Sequence, residues 1–155
     1  MAKELKKAIH ERIKNLCAEG DALVEDRKYA NAVGKYVDAL ELLPKPFTDW
    51  EAATWIFGSL GEAHFKAKSY EKALSSLANA FYCPDGLGNP FLHLRFGQVN
   101  YELGQMDAAA DSLARAYMGG GKELFDVENP KYYRFLKTKI AIKDSASRPR
   151  AAKKR

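Results

Sequence analysis

Apolar residues recur every three or four positions along most of this chain, the spacing of a buried stripe on an α-helix. The first segment, about residues 3–26, places Leu5, Ala8, Ile9, Ile13, Leu16, Cys17, Leu23 and Val24 on one face. A polar turn follows at Asp26-Arg27-Lys28. The next stripe is Tyr29, Ala32, Val33, Tyr36, Val37, Leu40 and Leu43. Pro44 and Pro46 end it, because proline has no N–H to continue a helix. The same periodicity predicts helices over about 50–67, 70–82, 90–103 and 107–117. Thr48 or Asp49 is expected to cap the third helix and Ser69 the fourth. Pro90 suits the first turn of the fifth. The breakers CPDGLGNP and Gly119-Gly120-Gly121 read as loops. A last helical stretch begins near Lys122, is interrupted at Glu128-Asn129-Pro130, and resumes through Tyr132, Tyr133, Phe135, Leu136 and Ile140.

Superimposed on the stripes is a block of residue types that occurs three times. Gly20, Gly61 and Gly97 are each followed twelve residues later by Ala32, Ala73 or Ala109, and seven further on by Ala39, Ala80 or Ala116. A large residue, Tyr36, Leu77 or Leu113, sits between each alanine pair. Antiparallel helices approach closely only where a side chain is short. The glycines are therefore expected at helix crossings facing Ala32, Ala73 and Ala109, with the second alanines against the next helix. A helix-turn-helix unit of roughly 34 residues produces this pattern, so the predicted fold class is all-α.

In these residues the chain resembles the tetratricopeptide repeat (TPR) family. Leu16, Gly20, Leu23, Tyr29, Ala32, Tyr36, Ala39 and Pro44 fill the first repeat. Phe57, Leu60, Gly61, His64, Tyr70, Ala73, Leu77 and Ala80 fill the second, with Pro84 one position early. His93, Phe96, Gly97, Asn100, Gly104, Met106, Ala109, Leu113 and Ala116 fill the third. Repeat starts are 41 and 36 residues apart, and Asn100 stands where the family usually packs an apolar group. His64 and His93 also fall on packing positions and read as satisfied histidines rather than ligands. The resemblance implies a superhelix of three helix-turn-helix repeats, about 13–46, 54–87 and 90–118, closed by a capping helix over about 122–142.

In this family the first helix of each repeat lines a concave groove that holds a polypeptide. The matching positions make Asp21, Trp55, Glu62, Phe65, Phe91, Leu94, Arg95, Gln98 and Tyr101 the candidate partner-binding residues. Aromatic anchors beside a few charges are the usual makeup of interface hot spots. One alternative stays open: residues 122–142 fold back into the groove, because Leu124, Phe125, Tyr132, Tyr133 and Phe135 also need a partner. Members that grip the C-terminal carboxylates of chaperones use lysine, asparagine and arginine at positions held here by Cys17, Asp21, Ser59, Phe91 and Arg95. Only Arg95 fits, so such binding is not expected. The stretches GNPFLHLRFGQVNYELGQ and ARAYMGGGKELFDVENPKYYRFLK resemble small bacterial TPR proteins associated with polymorphic toxins. That resemblance implies an immunity protein whose partner is a toxin domain.

Charge divides the chain in two. The whole net charge of +5 falls in residues 143–155, so residues 1–142 sum to zero. The basic tail holds no large apolar residue and is expected to be disordered. It supports an alternative function, a nucleic-acid-associated or scaffold/chaperone adaptor protein acting through that tail; the folded part lacks the basic balance of a nucleic-acid binder. No apolar run approaches the roughly 18 residues of a membrane span, and the expected location is the cytoplasm. Cys17 and Cys83 form no metal-spaced pair and read as reduced, packed thiols. The chain has no GxxxxGK[ST], GxSxG or HExxH motif. No catalytic residue, cofactor or metal is expected, and homodimerisation through an exposed apolar end stays open.

Overall fold

A computed structural model describes residues 4–142, and within them every regular element is helical. The helices are α1 (Lys7–Glu25), α2 (Tyr29–Glu41), α3 (Glu51–Lys66), α4 (Tyr70–Phe81), α5 (Pro90–Glu102), α6 (Met106–Gly120) and α7 (Pro130–Lys137). Two 3-10 turns, Phe47–Asp49 and Lys122–Phe125, join them. The expected hairpins are present: α1 packs on α2, α3 on α4 and α5 on α6, while α2–α3 and α4–α5 contacts stack one hairpin on the next. The basic tail, expected to be disordered, lies outside the described residues.

Each hairpin turns in the same way. Lys28, Ser69 and Gln105 donate their backbone N–H to the carbonyls of Leu23, His64 and Asn100, at 2.8 Å in all three. The residue before each donor has a positive φ: Arg27 at 62°, Lys68 at 63° and Gly104 at 79°. This is the Schellman end of a helix, which satisfies the last carbonyls of the first helix of each pair. Only the third repeat fills the left-handed position with glycine.

The repeated small residues do permit close packing, but their partner differs from the expected one. A Cβ built on Gly20, Gly61 or Gly97 would meet Tyr36, Leu77 or Leu113, at 2.5, 2.5 and 2.7 Å. The glycines thus receive the large residue of the second helix rather than Ala32, Ala73 or Ala109. The reason is helical phase. The large residue lies four positions beyond the alanine, one turn further along the same face. All six alanines of the pattern are completely buried.

Capping also departs from expectation. Thr48 and Asp49 lie in the first 3-10 turn, the cap position of α3 is Trp50, and neither Trp50 nor Ser69 makes a side-chain cap bond. The indole N–H of Trp50 instead donates to the carbonyl of Pro44, which fixes the loop between the first two hairpins. Side-chain caps come from two asparagines followed by proline. Asn89 accepts from the N–H groups of Phe91 and Leu92 at 2.9 and 3.3 Å, and Asn129 accepts from Lys131 at 3.0 Å. The sixth helix runs on through Gly119 and Gly120 and ends at Gly121, whose φ of 74° suits glycine alone.

Two apolar clusters form the core. The larger joins α1 to α4 with one face of α5, around Ile13, Tyr36, Ile56, Leu60, Leu77 and Val99. The smaller gathers Leu94, Leu113 and Ala116 of the third hairpin with Phe125, Tyr132 and Leu136 of the C-terminal segment. Phe65 touches both.

Candidate functional site

The inner face of the stack is built from α1, α3 and α5, and an open cleft of about 540 Å³ runs across it. Asp21, Val24 and Glu25 come from α1, Trp55, Ser59, Glu62 and Lys66 from α3, and Phe91, Leu92 and Arg95 from α5. The helical stripe that faces α2, α4 and α6 is spent on the core, so these residues lie on the side left over. Thr54 stands at the cleft edge and is held by a hydrogen bond from its hydroxyl to the Pro84 carbonyl, 2.7 Å. Trp55 and Phe91 are 46% and 50% exposed, which makes them large apolar groups offered to solvent on the inner face.

The sequence-based groove is thereby divided. Asp21, Trp55, Glu62, Phe91 and Arg95 line the open cleft. Leu94 and Gln98 are fully buried and present no surface. Tyr101 packs edge-on against Tyr132 and Phe135, with ring centres 5.4 and 5.2 Å away. Phe65 is half-buried where the two clusters meet. The C-terminal segment therefore does fold back, over the third-repeat end and as far as Phe65. Leu94, Gln98 and Tyr101 serve as its bed.

Arg95 sits at the border of the sealed and open halves. Its guanidinium makes a two-point pair with Glu62, through Nε to Oε1 and through Nη2 to Oε2 at 3.0 Å. Its Nη1 donates to Gln98 Oε1 and to Glu128 Oε1, both at 2.8 Å. Gln98 donates to the same Glu128 oxygen at 2.9 Å, and Lys66 adds an ion pair to Glu62 at 3.3 Å. The planar cation also lies over two rings, 5.3 Å from the centre of Phe65 and 5.2 Å from that of Phe91. Burial pushes the Glu62 carboxyl up, but the bonds and charges of Arg95 and Lys66 outweigh it and hold the group below its ordinary value. Burial likewise works against the Arg95 cation, and the two carboxylates reverse the effect and raise it.

A second anchor holds this C-terminal segment, the lid of the third-repeat end, further along. The Tyr132 hydroxyl donates to Glu102 Oε2 at 2.6 Å, and Lys131 pairs with the same oxygen at 2.7 Å. At the other end of the cleft the Tyr36 hydroxyl donates to Asp21 Oδ1 at 2.6 Å. Burial, then the hydrogen bond to Asp21, push the Tyr36 phenol far above its usual range. The two buried polar groups that broke the repeat pattern are satisfied locally. Asn100 donates to the Phe96 carbonyl at 2.8 Å, and His93 Nε2 meets the Leu87 carbonyl at 2.7 Å while stacking on Phe81.

Glu128 is the residue that sequence reasoning missed. It lies in the break before α7, 33 residues from Arg95, where no helical spacing connects the two. Among the described residues, no group of three or more His, Cys, Asp or Glu is placed to hold a metal ion, and no helix is long and apolar enough to cross a membrane.

Comparison with solved structures defines the fold. The TPR domain of Arabidopsis OM64 superposes with a TM-score of 0.68 at 17% identity, covering 85% of this chain and 99% of that one. The C-terminal TPR-containing domain of a Plasmodium falciparum FK506-binding protein gives 0.67 at 15% identity, covering 88% and 91%. PcrH, solved in complex with the chaperone binding region of PopB, gives 0.59 at 17% identity, covering 88% and 95%. The fold is thus that of a TPR domain, a superhelix of helical hairpins. No family model matches the chain, and no curated protein sequence does.

Proposed function

We propose that this chain is a non-enzymatic interaction module that holds a polypeptide partner in the open half of its inner face. One observation carries the reading. Trp55 and Phe91 stand exposed in a cleft of about 540 Å³ while the third-repeat end of the same face is sealed by the chain itself. Exposed aromatics in a concave site are costly in water and are the residues that dominate protein interfaces. PcrH, whose fold is similar, was solved in complex with the chaperone binding region of PopB, which supports the reading that this fold holds a polypeptide. The test is a pull-down in which Trp55→Ala and Phe91→Ala are compared with Tyr82→Ala, a change at an exposed aromatic outside the cleft. Loss of the retained partner by at least about tenfold with the first two alone supports the reading. Equal retention by all three variants rejects it.

A narrower form of the proposal makes the partner a toxin domain, which the chain would neutralise by covering its site. Occlusion requires tight complementary contact and no chemistry. Its support is the likeness of the α5 stretch and the lid to small bacterial TPR proteins associated with polymorphic toxins. Co-purification with a toxin domain and rescue of cells that express it support this form; failure to bind any neighbouring gene product rejects it.

A further inference from the structure

We infer that the cleft selects a segment that carries a lysine or arginine beside an apolar residue, the cation seated at the Asp21–Glu25 end and the apolar group between Trp55 and Phe91. The inference rests on the cleft reading above and adds the chemistry of the occupant. Three carboxylates line the cleft, Asp21, Glu25 and Glu62, against two cations, Lys66 and Arg95. Both cations are already taken by Glu62, and Arg95 is shared with Glu128 as well. Neither charge is left uncompensated. The carboxylates at the opposite end are differently placed. Asp21 uses Oδ1 for the Tyr36 hydroxyl, and its Oδ2 has no partner among the described residues. Glu25 forms no ion pair among them, and both side chains are exposed.

The surplus is therefore negative and confined to one end, and it adjoins apolar walls. A basic side chain fits this arrangement in two ways. Its aliphatic stem covers aromatic surface, and its charged head reaches the carboxylates. An aromatic face adds attraction for the same head. An acidic segment meets repulsion at Asp21 and Glu25 and finds no uncommitted cation.

The experiment titrates the full chain with short acetylated and amidated peptides that alternate leucine with lysine, glutamine or glutamate. Each is titrated into wild type, Trp55→Ala, the double variant Asp21→Asn with Glu25→Gln, and Glu71→Gln, a change on the exposed face of α4. The expected result is tightest saturable binding of the lysine peptide, weakened by salt. The double variant should lower its affinity about tenfold, and Glu71→Gln should leave it unchanged. Equal or tighter binding of the glutamine or glutamate peptide, lost in Trp55→Ala, overturns the charge inference and leaves the cleft reading standing. Binding that Trp55→Ala does not affect, or no saturable binding of any peptide, overturns both.

Discussion

Leu77 closes over Gly61 so tightly that a Cβ on the glycine would stand 2.5 Å from the leucine Cγ and Cδ2. The same contact recurs between Leu113 and Gly97. Alanine normally favours a helix over glycine by about 1 kcal/mol. Here the clash reverses the sign. Gly61→Ala and Gly97→Ala should each destabilise the fold by about 1–3 kcal/mol. Gly34, also inside a helix, has nothing within 4 Å of its virtual Cβ. Gly34→Ala should therefore stabilise by about 0.5–1 kcal/mol. Urea unfolding of the three variants checks both signs.

The hairpin turns offer a second test. Arg27 and Lys68 occupy the left-handed position that Gly104 fills in the third repeat. A side chain in that conformation costs about 1 kcal/mol or more, and glycine raises the entropy of the unfolded chain by somewhat less. Arg27→Gly and Lys68→Gly should be neutral to stabilising by about 0.5 kcal/mol. Gly104→Ala should destabilise by about 1 kcal/mol, as read by thermal melts.

The Arg95 junction makes stability depend on acid. Glu62 is held below its ordinary value of 4.5 in the fold. A depressed carboxyl contributes stability above its unfolded pKa, and the contribution is lost as pH falls through the folded one. Arg95→Met leaves Glu62 and Glu128 facing each other in a half-buried site and should cost about 2–4 kcal/mol near pH 7. Protonation relieves that repulsion. The gap in melting temperature between wild type and Arg95→Met should narrow as pH is lowered from about 5 to about 3. A gap independent of pH would show that packing on Phe65 and Phe91, not charge, holds the arginine.

Both cysteines should be poor nucleophiles. Burial, helped by the Asp21 charge, pushes the Cys17 thiol up to about 11, and burial raises Cys83 as well. At about pH 8 the native Cys17 thiol should react with a disulfide reagent about a hundredfold more slowly than in urea, and Cys83 should also be slowed. Rapid labelling of the native chain contradicts this.

Much of the fold was legible because packing of repeats is written in small residues at fixed offsets. The glycines, the alanines and the three hairpins follow from that pattern alone. The partner of each glycine was misassigned, because spacing gives the face of a helix and not which turn of it meets the neighbour. The cap at Asn89 was not legible, because in the run CPDGLGNP an asparagine suits a turn as well as a helix cap. The inner face was legible as residue types, and Asp21, Trp55, Glu62, Phe91 and Arg95 do share one cleft. The fold-back of the C-terminal segment stood open in the sequence, because its aromatics need a partner. That it covers Leu94, Gln98 and Tyr101 and stops at Arg95 was not legible, because Glu128 lies in a break that carries no periodic signal.

Amide chemical-shift mapping with the leucine–lysine peptide tests the account most directly. Shifts should concentrate at Asp21, Glu25, Trp55 and Phe91, with the amides of Leu94, Gln98 and α7 unmoved. Shifts centred on Tyr82 and Met118 of the outer surface, or a ligand that displaces α7 and occupies its bed, would contradict it.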